Sequence, residues 1–407
     1  MQVATSPHLC YNILTLENKF GRIIELLAPA GDFSRLKTAF YFGADAVYLG
    51  GKEYGLRAKS GNFSNEEIIE AVKYSHAIGK KLYVTVNIFA RNDDFVGIEK
   101  YAEFLEKTGV DAVIISDLGV LKIFKTTTSL EIHISTQANV CNSQSAMQYA
   151  ELGAKRIILA RELSIDDIKE ICKCLEGKAD IEVFVHGAMC MSYSGRCLMS
   201  KYMTGRDANR GDCAHPCRYK YEAFYALQEE KRPGEYFHVE EDENGTYIMN
   251  SRDLCLINNL NELADAGVAS FKIEGRMKNE YYVGGVVNVY RRAMNGENFD
   301  FMAELEKLPH RPFTTGFTFN DKQKEFEKSA ASISNNQIAA IVTEGNNIRI
   351  KNKITKGDEL EILSPYDNNG KTFIFNGDTV TIPEQIVSID CPYKLDAYDI
   401  LSKKARG

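Results

Sequence analysis

One phrase recurs along the first 280 residues and constrains the fold more than any other feature. A helical stretch ends at a glycine, an apolar run of β-forming residues begins within two residues, and a polar loop follows. The phrase occurs at residues 41–51, 107–119, 151–162 and 265–276. Glycine is common just past a last helical turn, and uninterrupted apolar strands are typical of parallel strands buried on both faces. The pattern therefore predicts helices that alternate with parallel strands.

Four more strand candidates lie between these phrases, at residues 23–29, 80–87, 130–137 and 181–188, and amphipathic helices separate most of them. Sustained alternation favours an α/β fold. Eight strands of similar length favour a closed TIM-like (β/α)8 barrel over an open doubly wound sheet. No G-x-G-x-x-G motif follows the first strand, which weakens a dinucleotide-binding alternative.

The length of 407 residues predicts more than one domain. We assign residues 1–22 to an N-terminal extension and 23–310 to the barrel. The acid-rich and turn-rich stretch 222–246 predicts an inserted hairpin or loop. From residue 312 to 407, short alternating segments with Gly and Asn turns predict a small all-β barrel or sandwich.

Composition limits the partners of the chain. The net charge of −7 does not favour polyanions, so a nucleic-acid partner would need a local basic face. No apolar run approaches the roughly 18–20 residues that span a bilayer. The first twenty residues lack the basic and apolar regions of a signal peptide. We therefore expect a cytoplasmic protein without a membrane partner.

Five cysteines are the main chemical signal. Four lie between Cys190 and Cys217 with the spacing C-x6-C-x15-C-x3-C, and Cys255 follows after thirty-seven residues. A reducing compartment disfavours disulfides. Zinc sites commonly use C-x2–4-C pairs, which only Cys213 and Cys217 approximate. An iron–sulfur cube takes four thiolates, so the spacing favours such a cluster and leaves one cysteine, Cys213 or Cys217, in surplus.

Polar residues follow the predicted strands, where the loops of a barrel form the active site. Arginines there suit bidentate recognition of carboxylate or phosphate, with surface ion pairs as the alternative. Without a nucleophile pattern or an H-E-x-x-H motif, a hydrolytic site is hard to assemble. The candidate base His186 has a hydrogen-bonded structural role as its alternative. The rim candidates are Asp32, Arg57, Asn87, Asp117, Thr136, Gln137, Arg161, Glu162, His186, Glu274 and Arg276.

A basic segment overlaps the cysteines. Between residues 195 and 220 six basic side chains stand against Asp207 and Asp212, a net charge of +4. This segment, here called the basic lip, suits an anionic substrate or the phosphates of a nucleic acid. The alternative is an ordinary solvated loop. The basic residues are Arg196, Lys201, Arg206, Arg210, Arg218 and Lys220.

The stretch EVFVHGAMCMSYSGRCLMS resembles the signature of the collagenase-like peptidase family U32. The blocks ELLAPAGDFSRLKTAFYFGADAVYLGG, GRDANRGDCAHPCRYKY, NSRDLCLI and FKIEGRMK resemble other blocks of that family, so the resemblance covers residues 23–295. Members with this pattern are iron–sulfur proteins that hydroxylate RNA bases or quinone precursors. The chain is most similar to the branch that makes 5-hydroxyuridine at the tRNA wobble position, with prephenate as the associated metabolite.

The resemblance implies a 4Fe–4S cluster on Cys190, Cys197, Cys213 and Cys255, with Cys217 as the alternative to Cys213. It also implies a transfer RNA partner, and a paralogous subunit is possible. The oligomeric state stays open. We expect Arg57, Arg161 and Arg276 to hold carboxylates, with Asn87, Gln137 and Glu162 beside them and His186 or Glu274 as base. Two alternatives remain: a metal-dependent peptidase, as the family name says, and a non-enzymatic cluster protein that binds RNA.

Overall fold

The computed structural model describes residues 16–55, 62–190, 192–218, 252–319 and 333–405, together with the backbone of short strands between 227 and 247. Ten strands of these parts form one sheet. They are β1 (Glu25–Pro29), β2 (Ala46–Gly50), β3 (Lys81–Val86), β4 (Ala112–Ile115), β5 (Glu131–Ile134), β6 (Arg156–Ile158), β7 (Asp180–Ala188), β8 (Asp253–Cys255), β9 (Ser270–Ile273) and β10 (Phe313–Thr314).

The sheet closes on itself because β9 pairs in parallel with both β1 and β7. Strands β1–β7 and β9 therefore form an eight-stranded parallel barrel, and the predicted TIM-like fold is confirmed. Strand β8 adds to the outside of β7 in antiparallel orientation, and β10 pairs with β8. The strands are apolar because both faces are covered: all five residues of β2 are buried.

Helices connect the barrel strands. The helices of the described parts are α1 (Phe33–Tyr41), α2 (Asn65–Ala77), α3 (Ile98–Thr108), α4 (Leu118–Thr127), α5 (Ser143–Glu151), α6 (Ile165–Leu175), α7 (Met199–Thr204), α8 (Leu260–Ala266), α9 (Glu280–Met294) and α10 (Phe301–Glu306). Two acidic rim candidates begin helices: Asp32 accepts a hydrogen bond from the amide of Arg35, and Asp117 from the amides of Gly119 and Val120. Both are N-caps, the residue type expected at a helix start. No described helix is long and apolar enough to span a bilayer.

The pairing of β7 with β9 contains one register shift. Lys272 lies opposite Phe184, whereas Ile273 lies opposite His186, so one residue of β7 is left over. A bulge of this kind turns the following side chain to the other face of the strand. His186 consequently packs against α9 rather than continuing the row that faces the barrel interior.

A second sheet follows the barrel. Its strands are antiparallel, in the spatial order β14-β13-β16-β11-β12-β15, which confirms the predicted all-β C-terminal part. The sheet has its own apolar core. The strands are β11 (Asn336–Glu344), β12 (Asn347–Ile350), β13 (Glu359–Leu363), β14 (Thr372–Ile374), β15 (Ile386–Ser388) and β16 (Ile400–Lys404).

Polar contacts join this sheet to the barrel helices. The Tyr41 hydroxyl of α1 donates to Asp399 at 2.8 Å, and Lys351 of the segment after β12 pairs with Glu280 of α9 at 3.2 Å. In the predicted insertion, two short antiparallel pairs are described, residues 227–228 with 236–237 and 240–242 with 245–247.

Candidate active site at the carboxyl end of the barrel

Arg161 and Glu274 meet at the mouth of the barrel. Arg161 follows β6 and Glu274 follows β9, and Arg161 Nη2 lies 3.9 Å from Glu274 Oε2. Arg161 Nη1 also donates to the Ala188 carbonyl at 2.7 Å, and its guanidinium lies 3.9 Å from the centre of the Phe184 ring. Both charged side chains are less than one-sixth exposed. A partly desolvated cation held over a ring by fixed partners is suited to binding an anion.

Arg276 follows β9 two residues after Glu274 and is more deeply buried than Arg161. It is 5% exposed, and its Nη1 donates to the Thr85 hydroxyl at 3.2 Å. A Cβ added at Gly50 would lie 2.2 Å from that Nη1. Glycine at the end of β2 therefore leaves the space that the guanidinium occupies.

Amide and hydroxyl groups continue the rim across β3 and β5. Asn87 Nδ2 donates to Ser135 Oγ at 3.4 Å, and the backbone N–H of Gln137 donates to the same oxygen at 3.3 Å. Gln137 Oε1 is buried and accepts no hydrogen bond from the residues that the structure describes. That oxygen can accept a hydrogen bond from a donor on a bound molecule.

Glu162 contacts the loop that carries the cysteines, residues 190–217, here called the cysteine loop. Its two carboxylate oxygens accept hydrogen bonds from the Ser194 amide and the Ser194 hydroxyl, both at 2.6 Å. Ser194 has a φ of 38°, a left-handed conformation that is unusual for serine. Since both oxygens are used in this way, Glu162 positions the cysteine loop.

His186 is buried against α9, so its imidazole is not positioned to act as a general base at the mouth. It is 2% exposed, its Nδ1 lies 3.4 Å from the Tyr290 hydroxyl, and the rings of Tyr282 and Phe313 surround it. Burial lowers the pKa of His186 to about 3. The imidazole is therefore neutral near pH 7, and the geometry favours the structural alternative for His186. Glu274, in contrast, lies at the mouth.

The five candidate ligand cysteines lie on the cysteine loop and on β8. Cys190 is exposed just after β7, and Cys255 is buried in β8, where it pairs in register with His186. Asn209 fixes the loop around Cys197: its Oδ1 accepts from the Cys197 amide at 3.1 Å, and its Nδ2 donates to the Cys197 carbonyl at 3.0 Å. Cys213 and Cys217 are half-buried. The donor set suits an iron–sulfur centre, because soft thiolates come from separate segments of one region.

The described cysteine side chains do not lie close enough together to coordinate one metal ion. Within the described ranges, no three His, Cys, Asp or Glu side chains form a group that could hold a metal ion. Burial raises the pKa of the Cys255 thiol to about 11. Cys255 therefore carries its proton, which it would lose on binding a metal. The cluster and its ligands stay a prediction.

All four described basic side chains of the predicted basic lip make contacts within the protein. Arg210 binds Asp94 with both terminal nitrogens, at 2.6 and 2.8 Å, and this hydrogen bonding lowers the pKa of Asp94 to about 2. Arg210 thus fastens the cysteine loop to the segment after β3. Arg206 pairs with Asp212 at 2.8 Å.

The other two described members also have partners: Lys201 lies 3.5 Å from Asp207, and Arg196 Nε donates to the Gln137 carbonyl at 3.2 Å. About half of the Lys201 and Arg206 side chains stays exposed. Arg57, Lys220 and the side chain of Arg218 lie outside the described residues.

A charged network that was not predicted from the sequence lies inside the barrel. Lys272 Nζ lies 2.7 Å from Glu182, and Arg156 Nη1 lies 3.2 Å from Glu182 and 2.5 Å from Glu25. Burial by itself would raise the pKa of Glu25, but Arg156 and the Tyr83 hydroxyl lower it to about 2. The available signal was a charged residue in each of four largely apolar strands, which buried strands tolerate only when the charges are paired.

Comparison with known proteins gives the family. The model of peptidase family U32 matches residues 31–328. The tRNA hydroxylation protein P1 of Bacillus subtilis is 37% identical over 365 residues, covering 85% of this chain and 84% of that protein. An uncharacterized protease of Methanocaldococcus jannaschii is 39% identical over 382 residues, covering 90% and 89%.

A 23S rRNA 5-hydroxycytidine synthase of Escherichia coli is 37% identical over 310 residues, covering 72% of this chain and 45% of that protein. The family match extends from the first barrel helix past β10 and therefore includes the mouth and the cysteine loop. The chain belongs to peptidase family U32.

Proposed function

We propose that this chain hydroxylates a pyrimidine base in RNA, and that its substrate is the wobble uridine of transfer RNA, converted to 5-hydroxyuridine. One observation carries the proposal: an arginine-lined mouth lies beside a thiol-rich, basic loop that Glu162 ties to it. The names of the relatives support the same reaction class, since two of them are named for hydroxylation of RNA.

The arginines at the mouth would bind the small-molecule partner. Prephenate carries two carboxylates, and Arg161 and Arg276 are two guanidinium groups with few solvent contacts. Charge-assisted hydrogen bonds to carboxylates are strong when both groups are desolvated. Gln137 Oε1 would accept from a hydroxyl of the ligand. Glu274, which lies 3.4 Å from the Tyr48 hydroxyl, would accept a proton at the mouth.

A 4Fe–4S cluster would use Cys190, Cys197 and Cys255 with one of Cys213 and Cys217, and it would supply redox chemistry. The residues around those cysteines have a separate task. Asn209 holds the Cys197 backbone, and the amide of His215 donates to Cys213 Sγ at 3.4 Å. These contacts fix the backbone of the loop at two of the candidate ligands.

The test combines nucleoside analysis with iron analysis. The gene is deleted in a strain without paralogues, and 5-hydroxyuridine is measured in bulk transfer RNA by mass spectrometry. We expect the nucleoside to disappear, to return with the wild-type gene, and to stay absent with Arg161→Gln. Unchanged 5-hydroxyuridine in the deletion strain would refute the function, and chelator-sensitive cleavage of gelatin would favour a peptidase.

The cluster is tested on protein purified without oxygen. Iron and acid-labile sulfide are measured for wild type and for Cys190→Ala, with Cys174→Ala as the matched control because Cys174 lies on α6, away from the cysteine loop. We expect about four iron atoms per chain in wild type and control. Iron-free protein that still restores 5-hydroxyuridine would contradict the cluster.

A further inference from the structure

The cysteine loop exposes an unusual set of aromatic and apolar side chains. Tyr202 is 91% exposed, Leu198 74%, Tyr193 52% and Met203 47%. Fourteen large hydrophobic side chains are exposed in the described parts of the chain, and four of them lie within these eleven residues. Both exposed tyrosines are in this group. Scattered exposed apolar residues are normal, but a concentration of them marks a binding surface.

The local structure holds these side chains in place. Leu198 and Tyr202 are four residues apart, and the Tyr202 amide donates to the Leu198 carbonyl at 2.9 Å, so the two side chains lie on one face of the turn. The Tyr193 hydroxyl lies 3.1 Å from Cys141 Sγ, and its carbonyl accepts from Asn139 Nδ2 at 3.2 Å. The Tyr193 ring is therefore oriented before anything binds.

Exposed cations lie on the same loop and on the segment after β3 that contacts it. Lys201 and Arg91 both approach Asp207, at 3.5 and 3.4 Å, and about half or more of each side chain is exposed. Arg206, half-exposed, lies on the same loop. Stacking rings with interspersed cations are the pattern that binds single-stranded nucleic acid. The core of a protein–protein interface is instead depleted in lysine.

We propose that α7 and the turn before it form a stacking platform for unpaired bases of an RNA loop. Tyr202 and Tyr193 stack on bases, and Lys201, Arg206 and Arg91 contact the phosphates. Bases inside a duplex are already stacked on each other, so the platform selects a loop over a stem. The inference rests on the proposed function for the identity of the polymer, and adds which part of the RNA is bound and by which side chains.

The first experiment compares Tyr202→Ala with Tyr202→Phe in the full chain. Dissociation constants are measured for an anticodon-type RNA stem-loop and for an RNA duplex of the same length, across a salt series. We expect Tyr202→Ala to weaken stem-loop binding about fivefold or more, with duplex binding and the salt dependence unchanged because no charge is removed. Tyr202→Phe keeps the ring and binds like wild type. Ile382→Ala, at a 63% exposed position of the C-terminal part, is the matched control.

A second measurement uses the absence of tryptophan from the sequence. The indole of a Tyr202→Trp variant is the only one in the chain and is excited at a wavelength where the tyrosines do not absorb. We expect the stem-loop, but not the duplex, to quench its fluorescence. Wild-type stem-loop affinity in Tyr202→Ala, or equal losses for loop and duplex, would overturn the inference. So would a variant that binds RNA normally but no longer co-elutes with a protein partner.

Binding and product formation are read separately, so the two proposals can fail independently. If 5-hydroxyuridine persists in the deletion strain while binding still depends on the Tyr202 ring, the proposed function is refuted and the stacking platform is supported. If the nucleoside is lost on deletion but Tyr202→Ala binds the stem-loop like wild type, only the stacking platform is refuted.

Discussion

Replacement of Glu25 by glutamine tests whether the charged network inside the barrel stabilises the fold. Glu25 accepts from Arg156 at 2.5 Å, from the Tyr83 hydroxyl at 2.7 Å and from the Ser270 hydroxyl at 3.1 Å. Glutamine has nearly the same shape but no charge. The Glu25→Gln variant therefore leaves the buried Arg156 with Glu182 as its remaining carboxylate partner.

The pKa of Glu25 gives the magnitude. It falls from 4.5 to about 2 in the folded protein. At 1.36 kcal/mol per pKa unit, the ionised carboxylate stabilises the native state by roughly 3 kcal/mol. Because the folded pKa is the lower one, this contribution is complete above about pH 4.5. It is lost as the pH falls towards 2.

The assay is urea unfolding followed by circular dichroism between pH 7 and pH 3. We expect Glu25→Gln to lower the free energy of unfolding by about 3 kcal/mol at pH 7, and the difference from wild type to shrink below pH 4.5. Asp166→Asn is the control, since Asp166 is 88% exposed and such pairs contribute about 0–1 kcal/mol. A difference that is absent at pH 7, or that stays constant down to pH 3, would refute the reasoning.

Three further predictions concern the mouth and the cysteine loop. Gly50→Ala should displace the Arg276 guanidinium, lower stability by about 1–3 kcal/mol and weaken prephenate binding in calorimetry; unchanged binding would contradict the assigned role of Arg276. Glu162→Gln replaces one acceptor oxygen with a donor, so limited proteolysis should cleave the cysteine loop faster than in wild type, and an unchanged cleavage rate would count against the tether. Of Cys213→Ala and Cys217→Ala, one should lose iron during anaerobic purification and the other retain it; full iron content in both would show that neither is a ligand.

Parts of the site followed directly from sequence. Arg161, Glu274 and Arg276 each come after a strand, and the ends of parallel strands in a barrel meet at one rim, so their convergence was predictable. A role that depends on which partner a side chain contacts could not be predicted from the sequence. Arg210 is bound by Asp94, more than one hundred residues away, and Glu162 is bound by Ser194.

The sequence by itself determined the eight-stranded barrel and the all-β part after it, because hydrophobic periodicity and glycine caps are local signals repeated many times. Only the tertiary structure decided which side chains near the ends of β7 and β9 face the barrel interior and which face the helices. One register shift between β7 and β9 turns His186 towards α9, while Lys272 and Glu182 stay inside the barrel as a charge pair. Strand register is a property of two distant segments together, so no pattern within either segment encodes it.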